Sequence, residues 1–250
     1  MTVADPKKSC MEIIEIRYCF ILGDQRREVF DLQLDARSLE VINKGGRDFP
    51  FWADLEFHQC PHCPLVKETH PYCPVAMGLA SVIERFEKVF SYDEVDLEVI
   101  TRQRRVTQHT TAQRALGSLI GLLFATSGCP HTDYFKPMAR FHLPLSSLED
   151  TVFRVTSMYL VAQYFRHKEG RESDFELEGL KKIYDNMHLL NSMITERIRN
   201  ATRADSSLNA VILLDTFMGL MPLVSEEQMA ELRHLFVAYL SGSGDDRPDR

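Results

Sequence analysis

Alternating apolar and polar positions near the start of the chain predict a β-hairpin. Apolar side chains recur through residues 11–22 and again through residues 29–34, and the intervening Gly23-Asp24-Gln25 is a turn sequence. Alternation with a period of two is typical of strands that bury one face. Residues 95–100 alternate in the same way and predict a further strand, and residues 51–57 predict a short one.

Elsewhere the apolar positions follow helical spacing. They recur every three or four residues through 74–90, where Pro74 suits the first helical position and makes Cys73 the N-cap. Residues 112–126 predict a second helix, with Gly128 as its C′ residue. Beyond residue 146 the pattern predicts four helices and no strand, at 147–168, 174–200, 205–221 and 225–240.

This order of elements predicts an α+β fold, in which an N-terminal hairpin and small sheet with helices precede a bundle-like helical half. We place the α+β half at residues 1–144, the helical half at 145–240 and a disordered tail at 241–250. The apolar stripes of the helical half predict a bundle core. An exposed part of them predicts a surface for a protein partner or for a homodimer.

The composition is that of a globular chain of 250 residues, 44% of them hydrophobic, with a net charge of −7. A negative balance argues against nucleic acid as a partner. No secretory signal follows Lys7 and Lys8, and no apolar segment reaches the ~20 residues that a membrane span needs. We therefore expect a cytoplasmic protein without membrane association, in which stable disulfides are not expected.

Four of the six cysteines are followed directly by proline, namely Cys60, Cys63, Cys73 and Cys129. The spacing of Cys60 and Cys63 lets two thiolates reach one metal ion. Cys73 lies at a predicted helix start, where the helix dipole is expected to lower its pKa. Cys129 repeats the Cys-Pro-His pattern of Cys60 and is the expected fourth ligand. The sequence thus predicts a four-cysteine metal centre, with alternate ligands His58, His62, His70 and His131.

The metal is either structural zinc or a [4Fe–4S] cluster, since both take four cysteines. Pro64 removes the amide that a zinc knuckle usually offers after its second cysteine. The spacing is also not that of a ferredoxin, although a cluster tolerates ligands from distant segments. The simplest alternative has no metal, because free cysteines are among the most buried residues and pack like small apolar side chains.

A second alternative is a thiol–disulfide redox enzyme or sensor that uses Cys60 and Cys63. Cys-Pro-His-Cys resembles the active-site motif of thioredoxin-fold oxidases, but Pro64 departs from the helix that follows this motif in that fold. Haem attachment needs a histidine at position 64 and is excluded. No phosphate-binding Gly-rich loop and no Gly-x-Ser-x-Gly or His-Glu-x-x-His motif is present, so whether the protein is an enzyme stays open.

Basic residues concentrate in residues 101–144, which hold six of them against Asp133 as the single acid. Arginines near a helix N-terminus can bind phosphate or carboxylate, so an anion- or nucleotide-binding module is a third hypothesis. The alternative is a solvated surface that pairs with the acids of residues 93–98. The candidate anion-binding residues are Arg102, Arg104, Arg105, His109 and Arg114.

The cysteine segments resemble a family of uncharacterised bacterial proteins with repeated Cys-Pro motifs. The stretches that carry the resemblance are residues 57–65, 70–76 and 125–131, together with the hairpin. It covers most of residues 11–220. It implies a bacterial and cytoplasmic setting, but no activity, cofactor or partner.

Overall fold

The structure, a computed structural model, describes residues 12–42, 48–201, 205, 207–209, 211–212 and 227–240. The predicted tail at 241–250 lies outside the described residues, as does most of the predicted helix at 205–221. The described residues between 205 and 212 are helical.

A four-stranded antiparallel sheet forms the first half of the fold, with strand order β2-β1-β3-β4. Its strands are β1 (Ile13–Leu22), β2 (Arg27–Asp35), β3 (Glu94–Thr101) and β4 (Arg105–Thr111). The predicted hairpin is confirmed, with Tyr18 opposite Phe30. Strand β4 was not predicted, because its side chains are polar and it lies at the sheet edge.

The helices whose bounds are described are α1 (Pro74–Arg85), α2 (Ala112–Ala125), α3 (Lys136–Arg140), α4 (Leu148–Lys168), α5 (Glu178–Ala201), α6 (Glu227–Leu232) and α7 (Val237–Leu240). Short 3-10 turns occupy Phe51–Ala53, Asp133–Phe135 and Arg233–Phe236. The predicted α+β class is therefore confirmed. A search for membrane spans among the described helices found none with the length and apolar character to cross a bilayer.

Local signals explain where the helices begin. Cys73 is extended at the N-cap of α1 and Pro74 occupies the first turn, as predicted. Ser147 caps α4 by accepting from the amide of Asp150, whose carboxylate accepts from the amide of Ser147 in return. Helix α5 begins four residues later than predicted, because Leu177 adopts a positive φ of 62° just before it.

The segment predicted as a short strand at 51–57 is not one. It forms a 3-10 turn at Phe51–Ala53 and then a single antiparallel bridge between Asp54 and Tyr72. The aromatic residues in this segment produce apolar alternation without a partner strand. The strand prediction is therefore wrong, but the bridge closes the loop that carries Cys60 and Cys63.

One hydrophobic core joins the α+β half to the helical half. The buried face of the sheet, including Tyr18 and Phe20, belongs to the same cluster as Leu79 of α1, Leu119 of α2 and Met187 of α5. Phe20 packs edge-on against Phe86 at the end of α1, with 5.0 Å between ring centroids. The predicted boundary at residue 144 therefore separates two halves of the sequence that share one hydrophobic core.

Candidate metal centre

The loop that carries Cys60 and Cys63 is closed at its base by backbone hydrogen bonds. The amide of Leu55 donates to the carbonyl of Pro71 at 3.0 Å, and that of Cys73 donates to the carbonyl of Ala53 at 2.8 Å. Within the loop, the amide of Cys63 donates to the carbonyl of Cys60 at 3.0 Å. These bonds form a turn between the first two cysteines and return the chain to the third at the start of α1.

Cys73 lies at the N-terminus of α1, and the amides of Val75 and Ala76 face its sulfur. Amides in this position favour a thiolate, which is the effect that the sequence predicts. Burial outweighs them, however, and raises the pKa of the metal-free Cys73 thiol. The prediction of a lowered pKa is therefore wrong for the free thiol, because the sequence does not reveal how deeply this N-cap is buried.

Cys129 follows the C-terminal end of α2. Gly128 has a φ of +86°, and a Cβ atom there would lie 3.1 Å from a carboxylate oxygen of Glu40, so the position suits only glycine. The chain then turns, with the amide of Cys129 donating to Ser127 Oγ at 3.1 Å. Burial raises the pKa of the Cys129 thiol to about 11, while the amides of residues 131 and 132 oppose that rise.

The four predicted ligands, Cys60, Cys63, Cys73 and Cys129, lie on three separate segments and near enough for their charges to interact; we call them the cysteine cluster. Burial raises the pKa of Cys60 to about 12, and the negative fields of Cys73, Cys129 and Cys63 raise it further. Cys129 interacts with Cys73 and Cys63 in the same way. All four are free thiols.

The cysteine cluster is not yet a finished coordination sphere. In the part of the chain that the structure describes, no group of three or more His, Cys, Asp or Glu side chains is arranged to hold a metal ion. A zinc ion with ~2.3 Å bonds to sulfur requires the four sulfurs within about 4 Å of one another. The fold thus gathers the thiols as neighbours, and their ligand spacing stays a prediction.

A buried arginine that sequence analysis missed lies against the cluster. Arg197 of α5 is only 2% exposed. Its guanidinium donates to the carbonyls of Trp52, Asp54 and Leu55 at 2.7, 2.6 and 2.8 Å. Burial lowers its pKa, and the nearby Cys73 and Cys60 oppose this by favouring the charged form. The helical half therefore contributes a cation to the base of the cysteine loop.

Two of the four alternate ligands, His62 and His131, lie against each other, and the other two are exposed. The rings of His62 and His131 lie 4.0 Å apart, and His131 Nε2 lies 2.9 Å from the backbone carbonyl of His62. Neither buried ring nitrogen of His62 makes a well-formed hydrogen bond within the described residues, although the backbone of Asn186 acts on the ring. Burial and then His131 lower the pKa of His62, and the backbone of Asn186 opposes this effect. His58 and His70 are exposed. The ring of His58 lies beside that of Phe57, and His70 lies beside Thr69.

The basic segment is not gathered into one anion site. Arg105 pairs with Glu98 at 3.2 Å, and His109 pairs with Asp96 at 2.8 Å, across the β3–β4 ladder. Arg102 and Arg104 lie exposed in the turn between the strands. Arg114 is separate from them and lines a cavity beside α2. These two pairs on β4 agree with the alternative interpretation of the sequence, in which the basic residues form a solvated surface that pairs with the acids of residues 93–98.

Comparisons with known proteins give one match. A protein-family model described as a domain of unknown function, DUF6901, matches residues 16–237. The matched range includes the sheet from Ile16 of β1 onward, the cysteine cluster and α5. Searches of curated proteins and of solved structures found no match.

Proposed function

The chain belongs to the DUF6901 family, whose function is unknown, and we propose that it is a metal-binding protein in which Cys60, Cys63, Cys73 and Cys129 hold one zinc ion or one [4Fe–4S] cluster. The centre ties the cysteine loop to the start of α1, the end of α2 and, through Arg197, to α5. A centre that joins elements in this way suits a regulatory or interaction role.

The observation that carries the proposal is a buried cation beside four gathered thiols. Arg197 makes its hydrogen bonds with backbone carbonyls, and no ion pair with a carboxylate is found for it among the described residues. Burying a charge without an opposite charge nearby is costly. Four thiolates on Zn²⁺ carry a net charge of −2, and four on a [4Fe–4S]²⁺ cluster carry the same. Asp54 favours the charged form of Arg197 without forming an ion pair with it, and either centre would add further negative charge beside the guanidinium.

Backbone amides support the same assignment. Those of Val75 and Ala76 face the sulfur of Cys73, and those of His131 and Thr132 face the sulfur of Cys129. Hydrogen bonds from amides to ligand sulfurs stabilise thiolates in zinc and iron–sulfur sites alike. Two of the four cysteines are thus provided with donors, although prolines follow all four in sequence.

The redox alternative has less support. A thiol–disulfide enzyme that uses Cys60 and Cys63 needs an accessible thiol of low pKa. The pKa of Cys60 is raised to about 12, so at neutral pH the metal-free thiol would be a poor nucleophile. The same burial suits a metal ligand, because a bound cation displaces the thiol proton.

A partner surface on the helical half is a further part of the proposal. Helix α4 exposes apolar side chains at Phe153, Val161, Tyr164 and Phe165. Such residues on one helix favour a protein partner or a homodimer. We also propose the bacterial and cytoplasmic setting that the resemblance implies.

Metal analysis of the purified full-length protein tests the centre. We expect about one zinc, or about four irons with four sulfides and visible absorbance, per wild-type chain. Cys129→Ser should lose most of the metal, because the thiolate that closes the site is gone. Cys19→Ser is the matched control: Cys19 is also a buried free cysteine but lies in β1, outside the cluster.

Protein purified without oxygen that is folded, metal-free and unable to take up zinc or iron would refute the proposal. So would equal metal loss in Cys19→Ser and Cys129→Ser. The ratio of iron to zinc in wild-type protein decides between the two centres.

A further inference from the structure

A cavity of about 180 Å³ is lined by residues of α2, α3, α4 and α5. Its wall is apolar where Leu122, Phe135 and Met187 line it. Its polar residues include Arg114 from α2 and Arg154 from α4. None of the cysteines of the cluster lines it.

The charge on the lining of this cavity is positive, and the only acid known to act on Arg154 within the described residues is Asp150, which does not line the cavity. Its lining contains no Asp or Glu. The guanidinium of Arg154 donates to the carbonyls of Met138 and Phe141 at 3.2 and 2.8 Å, and no ion pair is found for it within the described ranges. Arg104, in the β3–β4 turn, adds its field on this side, since it lowers the pKa of Arg154.

A hydrogen-bond network fixes the polar end of the cavity. The hydroxyl of Tyr18 lies 2.9 Å from Ser118 Oγ and 2.5 Å from His142 Nε2, and the amide of Leu145 donates to Ser118 Oγ. Ser118, His142 and Leu145 all line the cavity. The polar groups there are consequently held in place before any ligand arrives.

Two larger clefts lack this positive character. A cleft of about 630 Å³ beside β2 and α1 is lined by Asp31, Glu84 and Glu87. A cleft of about 930 Å³ between α4 and α5 is lined by Glu172 and Asp174. Acidic residues in both would repel an anion. The smaller cavity is the one whose charge and apolar wall suit a single class of ligand.

We propose that this cavity binds a small organic monocarboxylate, with its carboxylate between Arg154 and Arg114 and its apolar body against Leu122, Phe135 and Met187. An engineered apolar cavity of about 150 Å³ in another protein holds benzene. A cavity of about 180 Å³ therefore accommodates one aromatic ring or a chain of about six carbons. Arginine supports this class because its planar fork binds a carboxylate through two parallel hydrogen bonds.

Binding of four probes to the full-length protein by calorimetry tests the proposal. Benzoate and hexanoate carry the charge, whereas benzyl alcohol and hexan-1-ol keep the apolar body without it. We expect both acids to bind at least about tenfold more tightly than the matching alcohols, because a charged hydrogen bond is lost with the carboxylate.

Three arginine variants locate the site. Arg154→Met and Arg114→Met should each weaken benzoate binding by at least about tenfold. Arg105→Met should not, because Arg105 belongs to the same basic segment but pairs with Glu98 on the sheet. Arg114 is exposed, so its variant keeps the test valid even if Arg154→Met does not fold.

The proposal is overturned if no acid binds, if the alcohols bind as well as the acids, or if Arg105→Met weakens binding as much as Arg114→Met. Its outcome is separate from that of the metal proposal, since the probes are added to protein whose metal content has been measured. A chain purified without oxygen that cannot take up zinc or iron but still binds benzoate would refute the first proposal and support the second.

Discussion

The outer face of the sheet and the base of the cysteine loop use arginine in opposite ways. Arg17 pairs with Asp31 across β1 and β2, and more than half of each side chain is exposed. Arg197 is 2% exposed and donates to three backbone carbonyls. Water stabilises the charges of the first pair, so the pair adds little. The buried guanidinium depends on protein groups alone, and its environment therefore marks a specialised site.

Histidines show the same contrast between surface and interior. His109 lies exposed on β4, where the hydrogen bond to Asp96 is the main cause of its raised pKa. Burial lowers the pKa of His142 to about 4, and Arg154 and Arg104 lower it further. Acid should therefore strengthen the first environment and weaken the second.

Replacement of the buried arginine should give the largest effect. Arg197→Met leaves three carbonyls without their donor, and we expect a loss of about 3–5 kcal/mol in the free energy of unfolding. Arg17→Met should leave it almost unchanged, because water replaces the lost partner. Urea unfolding of both variants beside the wild type measures the difference. Equal and small effects would show that Arg197 is solvated in the folded protein and would remove the contrast.

A pH effect of intermediate size should come from His142. In the folded chain its pKa is about 4, against an ordinary histidine pKa of 6.5. The unfolded chain therefore takes up a proton as the pH falls below about 6.5, before the folded chain does. Above that pH, His142 does not reduce the free energy of unfolding. As the pH falls to about 4, it lowers that free energy by up to about 3 kcal/mol.

His142→Gln removes the titration and retains a hydrogen-bond partner for Tyr18. Chemical unfolding between pH 4 and 8 should show that the variant loses less stability in acid than the wild type does. Parallel pH profiles for the two proteins would contradict a buried neutral His142.

The smallest effect, with the opposite sign, should come from His109. Its pKa is raised in the folded state, so its pairing with Asp96 stabilises the protein below the unfolded pKa of about 6.5 and is lost as the pH rises through the folded value. The thermal unfolding temperature of His109→Gln should therefore be lower than that of the wild type near pH 5.5, and the difference should vanish by pH 9. A difference that grows with pH would show that His109 is not paired.

Local signals in the sequence predicted the elements that bury one face. The hairpin, α1 with its Cys73 cap and α2 all follow from apolar spacing and from proline or glycine at the ends. Strand β4 was missed because an edge strand with polar side chains has no apolar alternation to detect. The pairing of its Arg105 and His109 with acids on β3 is a consequence of that missing strand.

The cluster was predicted in part. Repetition of Cys-Pro pointed to Cys60, Cys63, Cys73 and Cys129, and in the fold the charges of these residues interact; their role as metal ligands stays a prediction. Arg197 was not predicted, because an arginine in an amphipathic helix usually faces water. Its position was nonetheless visible, since it follows Leu190 by seven residues and Ile194 by three, on the apolar stripe of α5.

The contacts of Arg197 also constrain the order in which the molecule can be assembled. Its guanidinium bonds to carbonyls 145, 143 and 142 residues earlier in the chain. Contacts of such sequence separation close large loops and form late in folding. During synthesis, the cysteine loop is complete long before α5 leaves the ribosome. Until α5 has been synthesised, the thiols of the loop lack Arg197. The loop can therefore adopt its native contacts only after the last turns of α5 have emerged.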